Sequence, residues 1–192
     1  VEEFVEPGEL FTFKLRIENR GLDTELLYPK IYDVSGISRE GQPLFEMKGQ
    51  TSPHMISEWV TFDRDQISVV AGGKDEVTVI IQVPADASPG AHVGAVSLSK
   101  DPPTGVQQGS SIGYEVRSIV SLRVSGDVVE KSKIKEFFTD QIFFSTADVK
   151  FTTTILNEGN VFVRPKGFIV IKNMFGSKVD TIPVNDGQAS VY

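Results

Sequence analysis

Hydrophobic and polar residues alternate with a period of two along much of the chain, which is typical of β-strands with one buried face. The first such run is LFTFKLRIE at residues 10–18, in which every second side chain is apolar. It ends in Asn-Arg-Gly and is followed by a second apolar run, LLYPKIYDV, at residues 26–34. The two runs predict two strands that pair as a hairpin.

A proline-bounded corner separates two further strand-like runs. The run KDEVTVIIQVP at residues 74–84 places Val77, Val79, Ile81 and Val83 on one face. Pro84 cannot donate a ladder hydrogen bond, and Pro89-Gly90 favours a turn, so the first strand must end before the next begins. Gly94 and Ala95 in that next strand have little side chain and would allow a neighbouring backbone or ring to approach closely.

The longest alternation runs from Ile112 to Val124 and predicts another strand. The segment KIKEFF, residues 133–138, fits helical spacing as well, but its aromatic and β-branched surroundings favour a strand. Several short strands separated by turns, without a convincing amphipathic helix, indicate an all-β protein of immunoglobulin-like antiparallel β-sandwiches.

An internal repeat predicts two such sandwiches in tandem. The stretch FTFKLRIENRG at residues 11–21 aligns with VKFTTTILNEG at residues 149–159, which matches Asn19 to Asn157 and Gly21 to Gly159. We therefore expect one domain over residues 1–125 and a second over 126–192. A complete sandwich needs about 100 residues, so the second is expected to be truncated, with further strands beyond Tyr192.

Composition narrows the classes of partner. A net charge of −7 and a pI near 4.9 argue against nucleic acid, because affinity for phosphate backbones comes mainly from lysine and arginine. Cysteine is absent, which excludes disulfides and thiolate metal sites. No apolar stretch is long enough to span a bilayer, and because Val1 is not preceded by methionine we expect the chain to be a fragment.

Two short stretches have the residue spacing of motifs that contain a nucleophilic serine. GSSIG at residues 109–113 matches the nucleophile elbow, but a strand follows where a helix is needed, and both histidines precede the motif. SLSK at residues 97–100 matches the S-x-x-K motif, but its companion motifs are missing. The sequence therefore predicts a protein that is not an enzyme.

No metal or cofactor site is expected either. Asp63 and Asp65 are too few to bind a hard cation, and Arg64 lies between them. His54 and His92 are too far apart in sequence to form a zinc motif, and we expect both on the surface or in loops.

The binding candidates lie between residues 36 and 59. A segment rich in glycine, proline, serine and charge, residues 36–57, has no sustained period, and long loops on rigid scaffolds often carry recognition. Its residues could equally cap the end of the sandwich. Trp59 could stack on a sugar ring, although a tryptophan that opens a strand more often fills the core. The candidate binding residues are Phe45, Met47, His54, Met55 and Trp59.

The order of these motifs resembles the WxL-interacting proteins, a family of bacterial surface proteins. The resemblance rests on EPGELFTFKLRIEN (6–19), WVTF (59–62) and EVTVIIQVPADASPGAHVGAV (76–96), with NEGNVFVRPKGFIVI (157–171) resembling the tandem sandwich that follows. It implies a peptidoglycan-binding immunoglobulin-like domain on an extracellular or cell-surface protein. The membrane anchor expected of the family would lie outside this chain.

These observations lead to one functional expectation and one alternative. The expectation is a non-catalytic bacterial surface module that recognises cell-wall polymer or a surface protein, by binding or adhesion. The alternative is a structural spacer or assembly module that pairs through exposed strand edges, which would give a strand-edge homo-oligomer. An enzyme is the third and weakest class, because no acid–base pair, activated nucleophile or metal cluster is found.

Overall fold

A computed structural model describes residues 2–38, 42–47, 54–102, 115–140 and 149–185. The chain divides into two compact units, Val1–Asp127 and Val128–Tyr192. All regular structure in the described residues is β-strand, which confirms the predicted all-β class. Within these residues the structure has no helix of the length and apolarity needed to cross a membrane.

The described part of the first unit holds nine strands. They are β1 (Glu2–Val5), β2 (Leu10–Glu18), β3 (Glu25–Ile37), β4 (Pro43–Met47), β5 (Val60–Phe62), β6 (Ile67–Val69), β7 (Lys74–Gln82), β8 (Gly90–Ser99) and β9 (Glu115–Val124). One sheet has the order β1-β9-β8-β3-β4, with β6 beside β3, and the other has the order β2-β7-β5. The pair β1–β9 is parallel, whereas the other pairs are antiparallel.

The core of the first unit lies between these two sheets. Val79 and Ile81 of β7 and Val120 and Leu122 of β9 are completely buried in one cluster. In each strand these residues are two positions apart, so the alternation seen in the sequence is the inward face of a sheet. Burial of apolar surface on both inner faces holds the sandwich together.

The proline corner joins the two sheets, as predicted for a sandwich. Strand β7 ends at Gln82 and strand β8 begins at Gly90, with a positive φ of 117° at that glycine. The predicted hairpin of the first two apolar runs is wrong, because β2 pairs with β7 and β3 pairs with β8. Alternation identifies a strand with a buried face but does not specify its neighbour.

The internal repeat corresponds to the same local structure in both units. The Oδ1 atom of Asn19 accepts a hydrogen bond from the amide of Gly21 at 2.9 Å, and its Nδ2 atom donates to the carbonyl of Asp23 at 2.8 Å. Asn157 bonds in the same way with Gly159 at 3.0 Å and with Val161 at 2.7 Å. Each asparagine therefore ends a strand through its own side chain.

The described part of the second unit contains two antiparallel strand pairs. They are β10 (Ser132–Thr139) with β11 (Phe151–Asn157), and β12 (Gly167–Lys172) with β13 (Lys178–Val184). Strand β10 includes the segment KIKEFF, so the preference for a strand there is confirmed. The two pairs line an open apolar groove of about 780 Å³. That this unit is a truncated sandwich stays a prediction.

Candidate functional site

The first half of strand β9 leaves one edge of the six-stranded sheet open. Strand β8 pairs with β9 along its whole length, from Glu115 to Val124. On the opposite side, β1 pairs only with the stretch from Ser121 to Val124. In the part of the chain that the structure describes, no strand lies beside residues 115–118 on that side. A strand edge of this kind can accept a strand from another chain.

The open edge also carries exposed apolar surface. Val116 is 73% exposed, and it lies on the face of β9 that continues inward as Val120, Leu122 and Val124. In sequence the same alternation continues outward through Ile112 and Tyr114, which lie outside the described residues. A partner strand and the sheet behind it could therefore extend the hydrophobic face of this sandwich.

Other edges of the two sheets have features that discourage strand addition. Strand β4 is five residues long and starts at Pro43, and β5 has only three residues. Strand β2 presents Lys14 and Arg16, which form ion pairs with Glu76. Short strands, proline and charge are the usual protections of an edge. The open part of β9 also carries charged residues, but it belongs to a ten-residue strand and exposes Val116, so we take it as the candidate site for a partner strand.

A side-chain cluster holds the open part of β9 against the sheet. The guanidinium carbon of Arg117 lies 4.5 Å from the ring centroid of Tyr32 and 4.6 Å from that of Phe45. Arg117 also forms an ion pair with Glu115 at 2.8 Å. These contacts join β9 to β3 and β4, across β8.

Glu115 is the polar centre of this cluster. Its carboxylate accepts hydrogen bonds from the hydroxyl of Ser97, from Tyr32 and from Arg117. Partial burial opposes ionisation, but these donors hold the pKa of Glu115 below its ordinary value. The pKa of Tyr32 is raised, mainly because the phenol is partly buried and also because Glu115 lies beside it. A charged carboxylate and a neutral phenol are therefore stable together at neutral pH.

The structure places the five predicted binding residues in two groups. Phe45 and Met47 belong to β4, where they pair with Val34 and Tyr32 of β3. His54, Met55 and Trp59 belong to the segment before β5, which packs against β8. Phe45 contributes to the Arg117 cluster, and the backbone of Met47 is paired with that of Tyr32, another member of the cluster. A binding role for these five residues stays a prediction.

The second group surrounds His92. The amide of Val93 donates to the carbonyl of His54 at 3.0 Å, beside Gly94, where the pairing of β8 with β3 ends. The Trp59 ring centroid lies 4.5 Å from that of His92, and Trp59 packs against the core. The core position that the sequence favours for this tryptophan agrees with these contacts.

His92 is buried, so the expectation of a surface or loop histidine is wrong. It is 1% exposed, and its Nε2 atom lies 2.8 Å from the carbonyl oxygen of Ser88, which fixes a proton on Nε2. Its Nδ1 atom has no hydrogen-bond partner within the described residues. Burial, together with the nearby His54, holds the pKa of His92 below 6.5.

This environment predicts that the first unit loses stability in mild acid. Because the folded-state pKa of His92 lies below the unfolded-state value, the unfolded chain binds more protons as the pH falls through 6.5. The free energy of unfolding should therefore decrease between about pH 7.5 and 5.5, a range above the ordinary pKa values of carboxylates. Urea unfolding followed by the fluorescence of the single tryptophan, Trp59, measures it.

His92→Gln and His54→Gln form a matched pair for this measurement. Glutamine at position 92 can still donate to the Ser88 carbonyl but does not titrate, so His92→Gln should flatten the pH dependence. His54 is exposed, and His54→Gln leaves the burial of His92, the largest cause of its lowered pKa, in place; this variant should therefore keep most of the slope of the parent chain. An unchanged slope in His92→Gln would assign the acid sensitivity to other groups.

The remaining chemical motifs do not form a catalytic arrangement in the described residues. Ser97 donates to Glu115, whereas Lys100 pairs with Glu25 at 2.6 Å, so the S-x-x-K serine and lysine have separate partners. Asp63 accepts a hydrogen bond from the amide of Thr78 at 3.0 Å and pairs with Arg64. The GSSIG motif lies outside the described residues.

The fold resembles that of two solved fimbrial chaperone structures. One is a structure of a chaperone–tip adhesin complex of CFA/I fimbriae biogenesis, with a TM-score of 0.55 and 12% sequence identity. The match covers 100% of this chain and 78% of the matched chain. The other is the class 5 fimbriae chaperone CfaA, with a TM-score of 0.52 and 11% sequence identity. The match covers 98% of this chain and 78% of the CfaA chain. No family model and no curated protein matches the sequence.

These comparisons correct two interpretations of the sequence. The resemblance to WxL-interacting proteins is wrong, and so is the expected recognition of cell-wall polymer or adhesion, because the structural neighbours are fimbrial chaperones. The motifs misled because a proline-terminated strand and a Pro-Gly turn suit a crossover in any sandwich. Both of these neighbours are described as chaperones. The chain has the immunoglobulin-like β-sandwich fold that they share.

Proposed function

We propose that the chain is a chaperone of surface-fibre assembly, which holds an incompletely folded β-sandwich subunit by strand addition at β9. The observation that carries the proposal is the open edge at residues 115–118 beside the exposed Val116. A fimbrial subunit can be complemented by a strand that its chaperone supplies, and an open edge with an apolar face can supply one.

The side-chain cluster on β9 supports this function. A strand offered to a partner has to remain extended while nothing pairs with its outer edge. The stacking of Arg117 on Tyr32 and Phe45, and its ion pair with Glu115, hold β9 in that conformation. Less conformational entropy is then lost when the subunit binds, which favours the complex.

The fold comparison supports the same class of partner. The two neighbours are a chaperone–tip adhesin complex and a class 5 fimbriae chaperone. The proposed partner is therefore a protein subunit of a surface fibre. Such a partner is met outside the cytoplasm, so the proposal makes this chain an exported protein.

The proposal predicts that Val116→Asp loses the complex. A carboxylate at this position would be buried against the apolar core of the bound subunit, and we expect at least about a tenfold weaker association. The tagged chain is co-expressed with fimbrial subunits from its own genome, and the share of subunit in a one-to-one complex is measured by size-exclusion chromatography.

Val70→Asp is the matched control, because Val70 is 61% exposed and follows β6, away from the open edge. This variant should form the complex as the parent chain does. The proposal fails if no subunit elutes with the parent chain, if Val116→Asp keeps the complex, or if the chain elutes only as a dimer of itself.

A further inference from the structure

The turn between β12 and β13 exposes two large apolar side chains next to each other. Met174 is 91% exposed and Phe175 is 84% exposed. Scattered single hydrophobic residues are normal on a protein surface, and Leu22, which is 95% exposed, is such a case. Two adjacent residues at the tip of a strand pair present a continuous apolar end instead.

This exposure belongs to an ordered turn. The Oδ1 atom of Asn173 accepts hydrogen bonds from the amides of Phe175 and Ser177, both at 3.0 Å. The amide of Gly176 donates to the carbonyl of Asn173 at 2.9 Å, and the φ of this glycine is +83°. The backbone is therefore fixed by the side chain of Asn173, and both apolar side chains are held in solvent.

Two lysines surround the apolar tip. Lys172 and Lys178 are paired residues at the base of the turn, and both are exposed. The stretch from 172 to 178 contains no acidic residue, although the whole chain has a net charge of −7. The nearest acid on the hairpin, Asp180, accepts a hydrogen bond from the amide of Thr181 at 2.7 Å. In the part of the chain that the structure describes, neither lysine forms an ion pair.

This arrangement matches the layers of an anionic lipid surface. In a bilayer the hydrocarbon lies beneath the phosphates of the headgroups. Apolar residues at the end of a tip can therefore reach the hydrocarbon, while cations behind them contact the phosphates. We propose that the β12–β13 turn contacts anionic membranes by inserting Met174 and Phe175 among the headgroups, with Lys172 and Lys178 against the phosphates.

The charge pattern favours a lipid surface over a protein pocket. The tip is convex and carries cations on both of its strands, which suits a broad negative surface. Two inserted side chains and two lysines form a weak, reversible contact, comparable to other membrane attachments that need more than one signal. The contact does not depend on the open edge of β9 and is independent of the proposed chaperone function.

Vesicle sedimentation of the full chain tests the proposal. We expect the chain to pellet with vesicles of phosphatidylcholine and phosphatidylglycerol more than with phosphatidylcholine alone, and added salt should reduce this difference. The double variant Met174→Ser with Phe175→Ser should weaken binding at least about tenfold. Lys172→Gln with Lys178→Gln should remove the preference for phosphatidylglycerol.

Leu22→Ser is the matched control, because it removes an equally exposed apolar side chain from the first unit. It should bind vesicles as the parent chain does. The proposal is overturned if the parent chain shows no preference for phosphatidylglycerol vesicles, or if Leu22→Ser loses as much binding as the double variant.

A fluorescent variant reports insertion directly. In Phe175→Trp, the emission of the new tryptophan should shift to shorter wavelength when phosphatidylglycerol vesicles are added, whereas Trp59 in the parent chain should not respond. If Phe175→Trp shifts on binding a protein but not on adding vesicles, the tip is a protein-docking site and the membrane proposal is wrong.

Discussion

Replacing Asp33 with alanine is expected to lower the free energy of unfolding of the first unit by about 3 kcal/mol. Asp33 is 1% exposed on β3, and one carboxyl oxygen accepts hydrogen bonds from the amides of Ile56 and Ser57 at 3.0 and 2.9 Å. Its other oxygen accepts from the hydroxyl of Ser57. Alanine would leave buried donors without partners, which is the costly way to lose a hydrogen bond.

Urea unfolding followed by Trp59 fluorescence measures this loss, since Trp59 packs in the same unit. Asp33→Asn is the matched variant: its amide oxygen can still accept from both backbone amides, so it should lose clearly less stability than Asp33→Ala. If Asp33→Ala unfolds within about 0.5 kcal/mol of the parent chain, the carboxyl group does not fix the segment at residues 54–57.

Strands were predictable from the sequence because burial on one face leaves a period of two. The alternation of β2, β7 and β9, the corner at Pro84 and the repeated Asn19 turn needed only local information. Strand β6, with three residues, is too short to show a period and was missed. The pairing of strands depends on contacts between distant residues, and so the predicted hairpin of β2 with β3 was wrong.

The candidate site was harder to predict, because its polar residues interrupt strands that look regular. In the sequence, Glu115 and Arg117 occupy ordinary outward positions of β9. Only the neighbouring strands show that Arg117 stacks on Tyr32 and Phe45. Asp33 and His92 are buried, although polar residues in a strand usually face solvent. The open edge of β9 is invisible in sequence, since it depends on which residues of β9 pair with β1.

The close approach of a neighbouring backbone that Gly94 predicts in the sequence is found in the structure, together with a side chain that the sequence does not indicate. A Cβ atom at Gly94 would lie 2.5 Å from Cγ1 of Ile56 and 2.8 Å from the carbonyl oxygen of Tyr32. Ile56 is completely buried and is held in place by Asp33 through its amide. The absence of a side chain at Gly94 and the buried carboxyl group of Asp33 thus both allow residues 54–57 to pack against the sheet.

Gly94→Ala is therefore expected to destabilise the first unit by about 2–3 kcal/mol, because the added carbon overpacks the core and meets a backbone oxygen that cannot move away alone. Gly36→Ala is the control: Gly36 lies in β3, and its Cβ would have nothing within 4 Å. This variant should be neutral or slightly more stable than the parent, since alanine loses less backbone entropy than glycine in a strand.

A double-mutant cycle identifies Ile56 as the side chain that Gly94 accommodates. Ile56→Ala removes the Cγ1 and Cδ1 atoms that a Cβ at position 94 would meet, so Gly94→Ala should cost at least about 1 kcal/mol less in that background than in the parent chain. The remaining cost would come from the Tyr32 carbonyl. Additive losses would mean that the segment moves away from the sheet as a unit, in which case Asp33, and not the close fit at Gly94, determines its position.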